Sequence, residues 1–459
     1  MIYLNVLFFI LKFISSEIVI PFTTIKENIT SAIPSTFMSF YSQNKIVSIF
    51  KIGTPYQEIS FRIKTLRKPL SINSVQMGTY NIKRFNESVS TSFIPLSNNP
   101  TYHGENDFTQ GVLAKEIFNI HTNNDELIIK NLSFFLGVSD YSYSRESGVL
   151  GLSLAEFDWR TNGVGFIQQL KKKNITKKYN FFIKYNEEND NDDGLLVLDG
   201  LPHEIYPKKY DKNKYNDFYA EIVSNSSMGL LINEAYYGET LVDCEFKVEL
   251  AVEDNFIKGT QIFKEILMQN FFKEKIIRKI CQESVFIFSN SKNLEFFYCN
   301  KKLNLSEFKN ISLSVMNSEL KIEFNYNDLF YEYNDNYYFL MYFPKEFYSN
   351  TYLKLGKMLF KKYVLTFDHD TRRIGFYKND NKDQNSNKEE GENDDNKNNK
   401  KKKKKFLGIL PWIIIGVLVI IILFLGFYII YYKPCKYRTK RANELQDDNY
   451  TYEGINNNE

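Results

Sequence analysis

Residues 353–378 read LKLGKMLFKKYVLTFDHDTRRIGFYK, and this stretch gives the clearest indication of the fold. It contains short runs rich in β-branched and aromatic residues, which are typical of strands. Runs of the same kind recur towards the N terminus, for example IVSIFKI, EISFRI, YNFFIKY and GLLVL, separated by Gly, Asn, Asp and Pro. The pattern predicts an all-β fold with many strands.

The composition excludes several classes of protein. The 459 residues include 58 Lys+Arg and 55 Asp+Glu, so the net charge of +3 argues against a dedicated nucleic-acid-binding protein. With 43% hydrophobic and 25% charged residues the chain is a folded protein rather than a disordered one. Four cysteines and four histidines are too scattered for a disulfide-dense scaffold or a zinc cluster, and we expect no metal and no cofactor.

Two apolar segments predict a membrane protein. Residues 1–16 resemble a signal peptide, with a short buried helix or an uncleaved anchor as the alternatives. Residues 406–432 contain no charge and are long enough to span a bilayer. Between them we expect a lumenal ectodomain, residues 17–378, and a disordered charged stalk, residues 379–405; residues 433–459 form a cytosolic tail.

This type I orientation places the chain in the secretory pathway or at the cell surface. The lysines of the stalk oppose the positive-inside bias, but a long translocated domain largely ignores the charge of its loops. We expect the lysine run to be a solvated spacer, with binding to acidic lipids as the alternative.

Cys435 is either a palmitoylation site or a free thiol. Seven glycosylation sequons fit a lumenal domain, at Asn28, Asn86, Asn131, Asn174, Asn225, Asn304 and Asn310.

Stretches with helical periodicity are short and few in the sequence. FIQQLKKK from Phe166 and TQIFKEILMQNFFKEKIIRKI from Thr260 predict two helical inserts.

Cys281 and Cys299 are close enough in sequence to pair in an oxidising lumen. Cys244 is then left over, either as a buried unpaired thiol or in a mixed disulfide with a partner protein.

Three stretches, in order, resemble the pepsin-like aspartic proteases (family A1). They are KIGTPYQEISFRI from Lys51, SGVLGLSLAEF from Ser147, and the closing stretch LKLGKMLF…FDHDTRRIG from Leu353. The resemblance implies a bilobal β-fold with an N-terminal lobe at residues 17–205 and a C-terminal lobe at residues 206–378. The family's membrane-anchored members share the signal, ectodomain, stalk and single span. IVIPF at Ile18 resembles a first sheet strand rather than an inhibitory prosegment.

Both catalytic motifs of the family lack their aspartates in this chain. Its enzymes carry D-[TS]-G in each lobe, and the two aspartates, one ionised and one protonated, activate a water. Counting from IGTPYQ places the first motif at Lys64-Thr65-Leu66. The second aligns with Glu249-Leu250-Ala251, with Glu253 and Asp254 as nearby carboxylates. An ammonium has no acceptor for a proton, so Lys64 cannot replace an aspartate.

We expect Lys64 and Glu249 to form an ion pair at the lost dyad, because an unpaired buried charge is costly. The alternative is that both side chains face solvent, since Arg67 and Lys68 make the first loop very polar. Tyr102 resembles the flap tyrosine that closes over substrate, with Gly104 and Gly111 as flap glycines, and an ordinary hairpin tyrosine is the alternative. His103, His121, His203 and His369 have no nucleophile motif beside them and are interpreted as solvated or structural.

The sequence therefore predicts a membrane-anchored pseudoprotease whose cleft binds an extended peptide or protein segment without cutting it. One alternative is an atypical active aspartic endopeptidase that uses carboxylates such as Glu249 and Asp254. The other is a structural or adhesion ectodomain, which predicts a cleft plugged by Lys64, Arg67 and Lys68.

Overall fold

A computed structural model of the chain describes residues 17–26, 44–65, 70–77, 83–96, 101–103, 109–123, 125–140, 147–153, 165–186, 192–223, 227–288, 292–345 and 352–378. All of them fall within one unit, Met1–Asn379. The predicted signal peptide, stalk, membrane span and tail lie outside the described residues. Among the residues that are described, no helix is long and apolar enough to cross a membrane.

The larger of two sheets has fourteen described strands. Their order across the sheet is β12-β25-β24-β10-β11-β1-β2-β3-β9-β4-β8-β7-β5, with β6 beside β7. The strands are β1 (Ile18–Lys26), β2 (Asn44–Ile52), β3 (Gln57–Lys64), β4 (Ser71–Asn73), β5 (Ile94–Pro95), β6 (Thr101–His103), β7 (Thr109–His121), β8 (Glu126–Asp140), β9 (Gly148–Gly151), β10 (Asn180–Tyr185), β11 (Gly194–Leu198), β12 (Asn216–Tyr219), β24 (Tyr363–Asp368) and β25 (Arg373–Lys378).

The second sheet has eleven described strands, in the order β17-β18-β22-β16-β23-β15-β14-β19-β20, with β13 beside β14 and β21 beside β22. They are β13 (Glu221–Val223), β14 (Ser227–Tyr237), β15 (Thr240–Leu250), β16 (Ile257–Lys258), β17 (Cys281–Phe288), β18 (Lys292–Asn300), β19 (Ile311–Val315), β20 (Lys321–Phe324), β21 (Phe330–Tyr333), β22 (Asn336–Pro344) and β23 (Leu353–Leu355). The all-β prediction agrees with this architecture.

Helices are short and few in the described part of the chain. They are α1 (Phe166–Lys172), α2 (Pro202–Ile205), α3 (Gln261–Leu267), α4 (Lys273–Ile277), α5 (Tyr326–Leu329) and α6 (Lys357–Lys362). A π-helical turn, Met268–Phe272, joins α3 to α4, and short 3-10 helices lie at Val75–Met77, Glu87–Val89, Lys212–Lys214 and Leu305–Glu307. The two predicted helical inserts are α1 and the α3–α4 segment, where the Thr260 hydroxyl accepts a hydrogen bond from Phe263 N as the N-cap.

The first strand joins two parts of the larger sheet. Residues 18–22 of β1 pair with β11, and residues 23–26 pair with β2. The IVIPF segment is therefore a sheet strand, as predicted. β12, β24 and β25 follow residue 205, the predicted boundary between lobes, but lie in this sheet, on the far side of β10. The predicted boundary between lobes at residue 205 stays a prediction.

The aromatic residues that favoured strands fill the core. Phe181 of β10 stacks on Phe367 of β24 with ring centroids 4.8 Å apart, and Phe272 stacks on Phe297 at 4.1 Å. All four side chains are buried. Such pairs add about 0.5–1.5 kcal/mol each beyond the area that they bury, which helps to hold adjacent strands and the α3–α4 segment in place.

Candidate functional site

Two loops, one after β3 and one after β15, form the candidate site. β3 runs parallel to β9, so that Ile63 lies opposite Leu150 and Lys64 opposite Gly151. β15 runs parallel to β23 in the same manner, with Leu250 opposite Leu355. Each loop thus follows a strand that runs beside a short strand, and a Leu-Gly pair lies at the end of β9 and across the end of β23.

This repeated pairing corrects the predicted register of the second motif. In the first loop, Lys64 directly follows the pair of Ile63 with Leu150. In the second loop, Ala251 directly follows the equivalent pair of Leu250 with Leu355. Glu249 lies two residues earlier, opposite Lys354. The position equivalent to Lys64 is therefore occupied by alanine, and Glu249 is not at the dyad position.

The second glycine, Gly356, permits a close approach of the backbone. A Cβ atom at Gly356 would lie 2.2 Å from the carbonyl oxygen of Asp254 and 2.5 Å from that of Phe256. Only a residue without a side chain fits against the loop there. The loop that follows Ala251 is thus pressed against the end of β23.

Thr65 joins the two loops. Its Oγ1 lies 2.9 Å from the carbonyl oxygen of Leu250 and accepts a hydrogen bond from Val252 N at 3.1 Å. Its own N–H donates to Glu253 Oε2 at 3.0 Å, and Oγ1 lies 3.1 Å from the same oxygen. Thr65 is buried, so these contacts are shielded from water.

Glu253 reaches from the second loop to the first. Besides its contact with Thr65, its carbonyl oxygen accepts a hydrogen bond from Arg62 Nη2 at 3.1 Å. Burial raises the pKa of the Glu253 carboxyl and the charge of Asp254 raises it further, while the Lys64 ammonium lowers it by less. Sequence reasoning named Glu253 as a nearby carboxylate but could not show that it contacts the first loop.

Lys354 lies between two carboxylates. Its Nζ is 3.3 Å from Glu249 Oε2 and 3.2 Å from Asp254 Oδ2, and the lysine and Glu249 side chains are largely buried. Burial lowers the pKa of Lys354, but the charges of Asp254 and Glu249 raise it by more, to well above its usual value. Lys354 was not predicted from the sequence, although it stands in the closing LKLG stretch directly before Leu355.

The predicted ion pair of Lys64 with Glu249 stays a prediction. Glu249 contacts Lys354, and the charge of Lys64 acts on the carboxyl of Glu253. Lys64 is half-buried, so it is not simply a solvated side chain. Arg67 and Lys68, which with Lys64 would plug the cleft in a structural ectodomain, lie outside the described residues.

The predicted flap is a hairpin in its backbone. Tyr102 of β6 pairs with Gln110 of β7, and Thr101 pairs with Gly111. A Cβ atom at Gly111 would lie 2.1 Å from the carbonyl oxygen of Leu136, so the glycine is required by the approach of β8. Gly104 and the side chain of Tyr102 lie outside what the structure describes, and the role of Tyr102 stays a prediction.

The histidines have different environments. His369 is buried between the rings of Tyr179 and Phe181, and burial lowers its pKa to about 3. His203 Nδ1 forms a hydrogen bond with the hydroxyl of Tyr377, and His121 is exposed. The side chain of His103 lies outside the description. Within the described residues, no group of three or more His, Cys, Asp or Glu is arranged to hold a metal ion.

The disulfide prediction is confirmed for Cys281 and Cys299, which are bonded at opposite positions of β17 and β18. No described cysteine has a free thiol, so the expectation of an unpaired thiol at Cys244 is wrong. Cys244, half-buried in β15, is disulfide-bonded. The alternative of a mixed disulfide with another protein stays a prediction.

Four of the predicted glycosylation sites, Asn131, Asn174, Asn304 and Asn310, are exposed, and Asn86 is half-buried. Asn28 and Asn225 lie outside the described residues. The exposed sites are accessible to a glycosyltransferase, which is compatible with the predicted lumenal ectodomain.

The chemistry of the site follows from these contacts. Activation of water by a carboxyl dyad requires two carboxyl groups that face each other and share one proton. The equivalent positions here offer an ammonium and a methyl group. Glu249 lies on β15 and Asp254 in the loop that follows it, and the ammonium of Lys354 lies between their carboxylates. The arrangement suits a fixed junction between loops better than proton transfer.

Comparisons with known proteins agree with this fold. The family described as "Asp: Eukaryotic aspartyl protease" matches residues 47–379, well over half of the chain. A solved structure described as "Crystal structure of Basic 7S globulin from soybean" is similar with a TM-score of 0.56 and 12% sequence identity, covering 80% of this chain and 96% of that chain. At this identity the likeness shows the fold alone. No curated protein matches. The chain therefore belongs to the eukaryotic aspartyl protease family.

Proposed function

We propose that this chain is a membrane-anchored pseudoprotease that binds an extended peptide or protein segment and does not hydrolyse it. The observation that carries the proposal is the pair of residues at the dyad positions, Lys64 and Ala251. Neither can act as a general base or a general acid carboxyl towards a peptide bond.

The surrounding carboxylates do not restore the dyad. Asp254 and Glu249 are paired with Lys354, and Glu253 accepts hydrogen bonds from Thr65. A retained catalytic site would need one of these acids to face a second acid from the first lobe. Lys64 stands at that place instead, and its charge lies near enough to Glu253 to lower the pKa of that carboxyl.

Binding does not require the dyad. A cleft between β-lobes can hold an extended segment through main-chain hydrogen bonds, with side-chain pockets giving selectivity. The hairpin of β6 and β7 offers backbone groups of this kind at the position of the predicted flap. The ligand class is therefore an extended polypeptide rather than nucleic acid.

The proposed location is a membrane of the secretory pathway or the cell surface. The support comes from the uncharged stretch at residues 406–432 and the apolar first sixteen residues. The exposed sequon asparagines and the disulfide of Cys281 with Cys299 suit an oxidising lumen.

The test is capture of peptides by the full-length chain in lipid nanodiscs. A library of extended peptides is incubated with the protein, and bound peptides are eluted and sequenced by mass spectrometry. The proposal predicts that a related set of peptides is enriched and recovered uncut. Enrichment of no peptide would overturn peptide binding, and recovery of cut peptides would overturn the absence of hydrolysis.

A further inference from the structure

A second concave surface lies on the larger sheet, away from the two loops of the site. It is bordered by β1, β2, β7 and β11, at the point where β1 leaves β11 and begins to pair with β2. Its volume is about 450 Å³, large enough for one or two side chains of a ligand. It shares no lining residue with the site around Lys64, and we call it the β1 groove.

Asn119 of β7 supplies an unpaired acceptor to the β1 groove. Its side chain is buried, at 3% exposure, and Nδ2 donates to Glu126 Oε2 at 2.9 Å. Because that carboxylate needs a donor, the amide cannot be turned around, and Oδ1 is the remaining atom. Among the described residues no donor lies within hydrogen-bond distance of Oδ1. A buried acceptor of this kind favours a ligand that brings an N–H or O–H group.

The charged side chains of the β1 groove are mainly acidic. Glu58, Glu126 and Asp193 line it, against Lys51, whose Nζ lies 2.9 Å from Glu126 Oε1, and His121. Outside the lining, Lys83 Nζ lies 3.7 Å from Glu58 Oε2, which leaves Asp193 as the carboxylate without a lysine partner among the described ion pairs of the groove. Asp193 also accepts a hydrogen bond from the Thr23 hydroxyl at 2.6 Å. The excess of carboxylates favours a cationic ligand over an anionic one.

The remaining wall is apolar. Phe22 and Val47 are buried beneath the groove, and Ile49 beside them is 54% exposed. An exposed isoleucine next to acidic groups suits a ligand with an aliphatic portion and a charged end. Lysine and arginine side chains have this form, because an apolar stem carries the cation.

We propose that the β1 groove binds a lysine or arginine side chain of a basic peptide segment. The aliphatic stem packs on Ile49 and Val47, and the cationic head donates hydrogen bonds to Asn119 Oδ1 and to the carboxylate of Glu126 or Asp193. The guanidinium of arginine, with five donors, satisfies more of these acceptors than an ammonium does. This site is independent of the cleft and of whether the chain cuts peptides.

The test is isothermal titration calorimetry on the full-length chain in nanodiscs made of uncharged lipid. The probe is the blocked pentapeptide Ala-Ala-Arg-Ala-Ala, with norleucine in place of arginine as the comparison peptide. The proposal predicts saturable binding of the arginine peptide that weakens with salt, and at least about tenfold weaker binding of the norleucine peptide because the charge-assisted hydrogen bonds are lost.

Two variants place the binding at this groove. Asn119→Leu removes the acceptor and is expected to weaken arginine-peptide binding about tenfold. Because Asn119 is buried, Ile49→Lys serves as a second variant at an exposed position, where the added ammonium competes with the ligand and abolishes binding. Val285→Lys is the matched control, since Val285 is a 50% exposed strand residue of the second sheet, and it should bind as the wild type does.

Absence of arginine-peptide binding to the wild type would overturn the proposal. So would equal binding of the norleucine peptide, or unchanged binding in Ile49→Lys. Because no peptide cleavage is measured, none of these outcomes bears on the proposed absence of hydrolysis at Lys64.

Discussion

The hydroxyl oxygen of Thr65 lies 2.9 Å from the carbonyl oxygen of Leu250, the last residue of β15. This contact, together with the hydrogen bond from Val252 N to the same hydroxyl, fixes the second loop against the first. It places Ala251, between those two residues, beside the junction. The loops have therefore kept their mutual contact while the acids that they would present have been replaced.

Replacing Thr65 by valine should destabilise the lobe junction. Thr65→Val keeps the shape of the side chain but leaves the buried Leu250 carbonyl and Val252 N–H without their partner. Each unsatisfied group costs about 1–3 kcal/mol. Denaturant unfolding should show a loss of about 2–6 kcal/mol for the two groups together, whereas Thr65→Ser keeps the hydroxyl and most of the stability. An unchanged midpoint for Thr65→Val would contradict the account of the junction.

Glu253 should make the junction more stable in acid than at neutral pH. Its pKa in the folded chain is raised above the ordinary value of 4.5, so the folded state holds its proton to higher pH than the unfolded state does. The stability that this group contributes is complete below pH 4.5 and is lost as the pH rises through the raised pKa. The variant Glu253→Gln cannot ionise and should lack this loss.

The comparison with Glu253→Gln is essential because His369 acts in the opposite direction. Burial lowers the pKa of His369 to about 3, so the unfolded state binds its proton more readily between pH 6.5 and 3. Stability from His369 therefore falls as the pH decreases through that range. The difference between the wild-type and variant stability curves, measured from pH 4 to 8, isolates Glu253. A difference that is constant with pH would refute the assignment.

Lys354 should be more important for stability than a surface lysine. Lys354→Met leaves Glu249 buried without that ammonium and removes the partner of Asp254. Removing one member of a buried ion pair costs about 3–5 kcal/mol. Adding Glu249→Gln should recover part of the loss, because the remaining side chain is neutral. Lys301→Met, at the exposed ion pair of Lys301 with Glu332, is the control and should leave the stability nearly unchanged.

The disulfide between Cys281 and Cys299 closes a short hairpin of β17 and β18, and the two cysteines are 18 positions apart in the sequence. The double variant Cys281→Ser and Cys299→Ser should lose about 3 kcal/mol of unfolding free energy. A cross-link that closes a loop of this size lowers the conformational entropy of the unfolded chain, which stabilises the folded state by about that amount. Thermal unfolding of the two proteins measures the difference. A variant as stable as the wild type would show that the hairpin is held by its packing alone.

Much of the fold could be predicted from local sequence. Strand-like runs, the two helical inserts, the disulfide and the substitution of lysine at position 64 all depend on patterns within about twenty residues. Position 64 lies at a fixed distance from IGTPYQ, in a strand without irregularities up to Lys64. Each of these features is determined by residues that are close together in the sequence, so it can be predicted without knowledge of the tertiary structure.

The second loop could not be placed in this way, because its register is set by a strand about one hundred residues later. CEFKVELAVEDNF offers several positions for a lost aspartate, and only the pairing of Leu250 with Leu355 selects Ala251. Lys354 was missed for the same reason, since its partners Glu249 and Asp254 are distant in sequence. The acceptor of Asn119 in the β1 groove likewise depends on four strands that meet only in the folded chain.

The most direct test of the central claim is hydrolysis of a peptide library by the full-length wild-type chain between pH 4 and 7, with an active family member in parallel. Lys64 and Ala251 at the dyad positions predict no cleavage above the rate of a buffer control. Specific cleavage that is lost in Glu253→Gln or Asp254→Asn would show that these acids form a working site and would contradict the account.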